Sequence, residues 1–133
     1  MEYDLYNNVK AVNALNHQGP LTNGTVAGVI IDTKDFESIV FVIQSATITD
    51  GTHTVKLEDG DDSGLSDAAD VPAADLLGAL PAFLAADDNA VKRVGCVTKK
   101  RYVRLSIVTT GATTGGSLGA TAVQGHPHSM PVA

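Results

Sequence analysis

The chain has no tryptophan, a single cysteine and only six aromatic residues in 133. With so few flat rings it lacks a stacking platform for single-stranded nucleic acid or for sugars. Its one cysteine, Cys96, allows no internal disulfide, and its place in an apolar alternating run reads as core packing rather than as a reactive thiol. A lone cysteine also fits synthesis in a reducing cytosol. No apolar run approaches the roughly 18 residues of a membrane span. The longest runs, Val26–Ile31 and Ile39–Ile43, are of strand length. Met1–Lys10 has neither the basic nor the apolar region of a secretory signal, so the sequon at Asn23-Gly24-Thr25 carries no weight.

Charge is missing by zone. No acid follows Asp88, and no charged side chain of either sign follows Arg104. Residues 1–91 hold fifteen acids against three lysines, a net of −12, whereas residues 92–133 hold six basic residues and no acid, a net of +6. Those six are Lys92, Arg93, Lys99, Lys100, Arg101 and Arg104. The total of −6 and the acidic body would repel phosphate, which argues against a direct nucleic-acid partner. Segregated charge speaks instead to protein partners and to orientation.

What is present is strand and turn signal. Val26–Ile31 and Ile39–Ile43 are rich in β-branched residues. Thr52–Glu58 alternates, with His53, Val55 and Leu57 on one face, and Tyr102–Val108 alternates with Val103, Leu105 and Ile107 inward. Val91–Val97, Ser117–Val123 and, more weakly, Val9–Leu15 complete the set. Asn23-Gly24, Asp50-Gly51, Asp59-Gly60 and the Gly/Thr stretch Thr109–Gly116 punctuate them. The pattern predicts one all-β domain, an antiparallel β-sandwich or jelly-roll-like fold at residues 17–125. An N-terminal arm over 1–16 and a C-terminal tail over 126–133 flank it, both extended. One short helix is expected near residues 71–78, opened by Asp70-Val71-Pro72 and closed by Gly78, with a second turn allowed at Ala82–Ala86. The run Ile39–Ile43 is apolar on both faces, so its outer face needs cover, from the Ala-rich helix or from another subunit.

The candidate chemical motifs are weak. Gly115-Gly116-Ser117-Leu118-Gly119 matches a nucleophile elbow, but it lies between two strand patterns and reads as a hairpin turn. Glu58–Asp62 with Asp67 could gather oxygens around Ca²⁺, but the spacing is not that of an EF-hand and it reads as a solvated acidic turn. His126 and His128 lack further ligands. No catalytic residue, cofactor or metal is expected. Lys99-Lys100-Arg101 is placed at a hairpin tip flanked by Arg93 and Arg104, either as a solvated turn or as a docking patch for carboxylates.

Two longer stretches carry a resemblance. Val91–Tyr102 with the following VRLSIVTTGATTGG and ATAVQGHP, and Val29–Asp62 with its turns at Asp32–Ser38 and Thr49–Thr52, resemble small structural proteins from the head modules of tailed bacteriophages. The resemblance implies a capsid decoration, or cement, protein. Such a protein is made in the host bacterial cytoplasm and sits on the outer surface of the virion. Its partners are the major capsid protein and itself, as a homodimer or homotrimer, with no membrane contact. It offers no catalytic residues to carry over. The contact residues expected from the sequence are Tyr3, Leu5 and Tyr6 in the arm and Lys99, Lys100, Arg101 and Arg104 in the basic segment. The alternatives are a head–tail connector, a tail or fibre-base component, or a carbohydrate-binding sandwich on the virion.

Overall fold

The computed structural model describes residues 8–34, 36–97 and 100–127. Among them are ten strands: β1 (Lys10–Leu21), β2 (Gly24–Asp32), β3 (Phe36–Ile48), β4 (Thr52–Gly60), β5 (Ala69–Asp70), β6 (Leu76–Leu77), β7 (Ala82–Phe83), β8 (Val91–Cys96), β9 (Tyr102–Thr110) and β10 (Gly116–Pro127). All pair antiparallel. Sheet I has the order β1-β10-β3-β8-β6 and sheet II the order β2-β9-β4-β5, with β7 also on β4.

The long strands alternate between the two sheets along the chain. β1 pairs with β10, β2 with β9, β3 with β8 and β4 with β5. This is one long antiparallel ribbon, folded at residues 61–68 and rolled into two layers, the winding of a jelly roll. The all-β sandwich expected from the sequence is therefore present. Its core lies between the layers. Phe41, Ile43, Val94, Leu118 and Ala122 of sheet I face Val55, Leu57, Val103, Leu105 and Ile107 of sheet II, each at most 2% exposed. Period-2 alternation puts these side chains on one face of each strand, and burial of apolar area holds the layers together.

Asn23-Gly24 and Asp50-Gly51 separate strands as expected, and they do so between layers. Thr22-Asn23, Asp50-Gly51 and residues 111–115 connect strands of opposite sheets, so they are corners and not hairpin turns. All meet at one end of the sandwich. The Asp50 carboxylate accepts the backbone N–H groups of Thr113, Thr114 and Gly115, the last at 2.7 Å, and the Asn23 Oδ1 accepts that of Ala112 at 2.8 Å. Gly115 has φ +94°, and a Cβ there would stand 2.1 Å from the Leu21 carbonyl oxygen, so both conformation and space demand glycine.

Three expectations are corrected. The short helix at 71–78 is a single 3-10 turn, Ala73–Asp75, after which Leu76–Leu77 becomes β6 on the edge of β8, and Ala82–Phe83 is strand. A helix this short gains too little from its own hydrogen bonds to resist sheet pairing. The N-terminal arm does not reach residue 16: Lys10 onwards is β1, held along β10 because Ala14 and Leu15 are core. Likewise β10 runs to Pro127, two residues into the expected tail.

Candidate interaction surface

The expected basic hairpin is not a hairpin. β8 belongs to sheet I and β9 to sheet II, so residues 97–101 cross from layer to layer. Cys96 and Val94 must face Val103 and Leu105 across the core, and pairing β8 with β9 in one sheet would forbid that. Arg93 and Arg104 consequently lie on opposite outer faces of the sandwich.

The other basic side chains close onto the chain's own acids. Arg101 donates from Nε and Nη2 to both oxygens of Asp32, at 2.8 and 2.7 Å, a bidentate pair. Its guanidinium also lies 5.1 Å from the Tyr102 ring centre. Lys100 reaches Asp61 at 3.1 Å and Arg104 reaches Glu58 at 3.3 Å. Lys92 is tied to the wall between the sheets by Asp87 at 3.3 Å and the Ala82 carbonyl at 2.9 Å. Exposed pairs of this kind contribute only about 0–1 kcal/mol each to stability. Their consequence here is that the field of the basic segment is largely neutralised at its source. Lys99, Tyr3, Leu5 and Tyr6 lie outside the described residues.

The remaining motifs prove architectural. Asp67 accepts the N–H groups of Asp61 and Asp62, and Asp62 those of Gly64 and Ser66, so the acidic stretch caps its own turn at the tip of the ribbon. Among the described residues no three His, Cys, Asp or Glu side chains gather as a metal site. His53 is buried on the inner face of β4. Its Nδ1 lies 2.9 Å from the Thr109 hydroxyl and its Nε2 3.1 Å from the Asp50 carbonyl, and Ser117 is not among its partners. Burial pushes the Cys96 thiol up to about 11, which keeps it protonated and inert at neutral pH.

The two outer faces differ in character. On sheet II, Lys56, Glu58, Asp70 and Arg104 form a linked set of ion pairs. On sheet I, the register aligns Ala11, Val123, Val40, Gly95 and Leu77 in one row across all five strands. Leu77 is 60% exposed; Val91, on the same outer face of β8, is 61% exposed, and Val97, just past the end of β8, is 49% exposed. Gly95 contributes no side chain, and the row dips there into a groove of about 630 Å³ whose lining includes Val9, Val40, Leu77, Arg93 and Val123. Arg93, exposed beside the row, has no carboxylate partner among the described residues. Sequence reasoning named Arg93 only as a flank of the hairpin. The signal that could have located this face was the Ile39–Ile43 run: Val40 and Val42 point outward, and among the described residues no helix covers them.

The chain matches no protein-family model, no curated protein and no solved structure.

The carboxylates that hold the corners make stability pH-dependent. Backbone N–H groups of Gly115 and Thr114 hold Asp50 below the usual carboxylate range, the Arg101 hydrogen bond does the same for Asp32, and the turn amides do so for Asp62 and Asp67. A lowered folded-state value means that these groups contribute fully above the unfolded carboxylate pKa, near 3.8, and lose that contribution as pH falls through their folded values. Thermal melts should show Tm nearly level from about pH 6 to 5 and falling steeply below about 4. Asp50→Asn should lower Tm at neutral pH and shrink the acid drop; an undiminished acid drop would remove Asp50 from this role.

Proposed function

We infer that this protein is a structural virion component that binds the outside of a tailed-phage capsid and stabilises the lattice of the major capsid protein. The observation that carries this reading is the apolar outer face of sheet I, set against the self-neutralised charge elsewhere. A sandwich of this size covers both faces of a sheet or leaves the open face polar, and an apolar row across five strands that the other described residues leave open is the mark of a protein-binding surface. Jelly rolls recur among viral shell proteins, which is an analogy of fold and adds to the resemblance in the sequence. The partners are the major capsid protein and further copies of this chain.

The mechanism is linkage. A protein that binds only the assembled lattice stabilises it by RT ln(1 + [L]/Kd) per site. Self-association lets one contact raise the effective concentration of the next, so modest individual contacts suffice. The apolar face, rather than the 97–101 crossover, supplies the binding energy in this reading, because Lys100 and Arg101 already have partners in Asp61 and Asp32. Cosedimentation of the purified chain with heads of the tailed phage that encodes it tests the reading. Saturable binding at a stoichiometry that tracks the number of shell subunits is expected. No binding, or binding limited to a single ring of sites at the neck, would reject it.

A further inference from the structure

We propose that the groove on the outer face of sheet I grips one extended segment of the shell protein, apolar at alternate positions and carrying a carboxylate that pairs with Arg93. The proposal rests on the reading of this face as the shell-binding surface and adds the chemistry of what it binds.

The strand register sorts the face into rows. Beside the apolar row that crosses all five strands lies a second, formed by Asn13, Thr121, Val42 and Arg93. A third holds Gly119, Gln44 and Val91. Arg93 is the one charged side chain in these three rows, on a chain whose net charge is −6. No acid in the rows repels an incoming carboxylate, and Arg93 has no carboxylate partner among the described residues. Its planar fork can hold a carboxylate of another chain through two parallel hydrogen bonds. A single cation among apolar positions suits one carboxylate, whereas a nucleic-acid backbone is held by several cations.

The shape of the groove suits an extended segment. Its floor is opened by two glycines, Gly95 on β8 opposite Val40 and Gly125 on β10 opposite Ser38, so it crosses β3 obliquely. Leu77 walls the β8 end, where a Cβ on Gly95 would stand 3.3 Å from the Leu77 Cβ. Arg93 lies at that end and Val9 at the other. The four spacings from β6 to β1 come to about 19 Å, the reach of about six extended residues. In such a segment alternate side chains point the same way, so its apolar set fills the space over the glycines while an acid at the β8 end meets Arg93.

The test uses the full chain. Cosedimentation with phage heads compares the unaltered protein with Arg93→Gln and Arg93→Lys, on untreated heads and on heads whose surface carboxylates have been amidated. Arg93→Gln should weaken binding to untreated heads about tenfold, and Arg93→Lys should recover only part of the loss, because lysine keeps the charge without the fork. Amidation should weaken binding of the unaltered chain by a similar factor and leave that of Arg93→Gln nearly unchanged. Equal losses in both proteins, or affinity indifferent to Arg93, would overturn the proposal and leave the shell-binding reading standing. A second arm needs no heads. An acetylated hexapeptide alternating leucine and glutamate, titrated into isotope-labelled protein, should shift the NMR signals of the Val40 and Leu77 methyl groups and the Arg93 Nε–H. Its glutamine counterpart should bind roughly fivefold or more weakly. Should the unaltered chain fail to bind heads, the shell reading is rejected, and a titration with no preference for the glutamate peptide would overturn the groove's chemistry as well. Contacts to Val40 in the free protein from residues 1–7, or from a second copy, would give the groove another occupant and overturn the proposal.

Discussion

Phe41→Ala lowers the free energy of unfolding by about 3–5 kcal/mol. Phe41 has no exposed surface and sits in β3, the middle strand of sheet I. Its neighbours in register are Ala122 on β10 and Val94 on β8. The small alanine leaves the room that the ring fills, so truncation opens a cavity that sheets anchored on both sides cannot collapse. Domains of this size have a total stability of about 5–15 kcal/mol, so the loss is a large share of the whole. Urea unfolding followed by tyrosine fluorescence or circular dichroism measures it. A loss below about 1 kcal/mol would mean that the layers do not close on this ring.

Gly28→Ala is the second large effect, and it acts through backbone. A Cβ on Gly28 would stand 2.3 Å from the Ala14 carbonyl oxygen and 2.4 Å from that of Leu105. Ala14 belongs to β1 of sheet I and Leu105 to β9 of sheet II, so Gly28 lies at the seam where one layer turns into the other. The pairing of β1 with β10 shifts register after Asn13, and that of β2 with β9 after Ala27. Such irregularities bend strands around a corner. Overpacking usually costs about 1–3 kcal/mol, and the upper end applies here because neither obstacle is a side chain that can rotate away. The same urea experiment reads the change, and a neutral result would contradict this close approach of three strands.

The strands themselves were legible and their partners were not. Alternation in Thr52–Glu58 and Tyr102–Val108 marked the inner residues, and His53, Val55, Leu57, Val103, Leu105 and Ile107 are all buried. Periodicity says which face of a strand is apolar, but the same apolar face serves a hairpin neighbour or a layer opposite. The Asn-Gly and Asp-Gly signals favour tight turns, and here those turns lead from one sheet to the other. Charge misled for a related reason. The carboxylates that neutralise Arg101, Arg104 and Lys100 lie 69, 46 and 39 residues away in sequence, so the basic segment looked unpaired. The Ile39–Ile43 run did signal a strand in need of cover on its outer face. Of the two covers considered, the helix fails. Among the described residues the short helical turn Ala85–Asp87 meets the far end of β3, where the Ser45 hydroxyl donates to the Asp87 carbonyl at 2.6 Å.

The outer face of sheet I, rather than the 97–101 crossover, is the proposed protein-binding surface. The most direct measurement compares two full-length variants with the unaltered chain in cosedimentation with phage heads. Leu77→Asp/Val91→Asp alters exposed positions, so folding should change little, yet head affinity should fall at least tenfold. Lys100→Ala/Arg101→Ala should retain head affinity within about twofold, because those cations are already engaged by Asp61 and Asp32. Full binding by the first variant together with loss of binding by the second would put the binding surface at Lys100 and Arg101 instead.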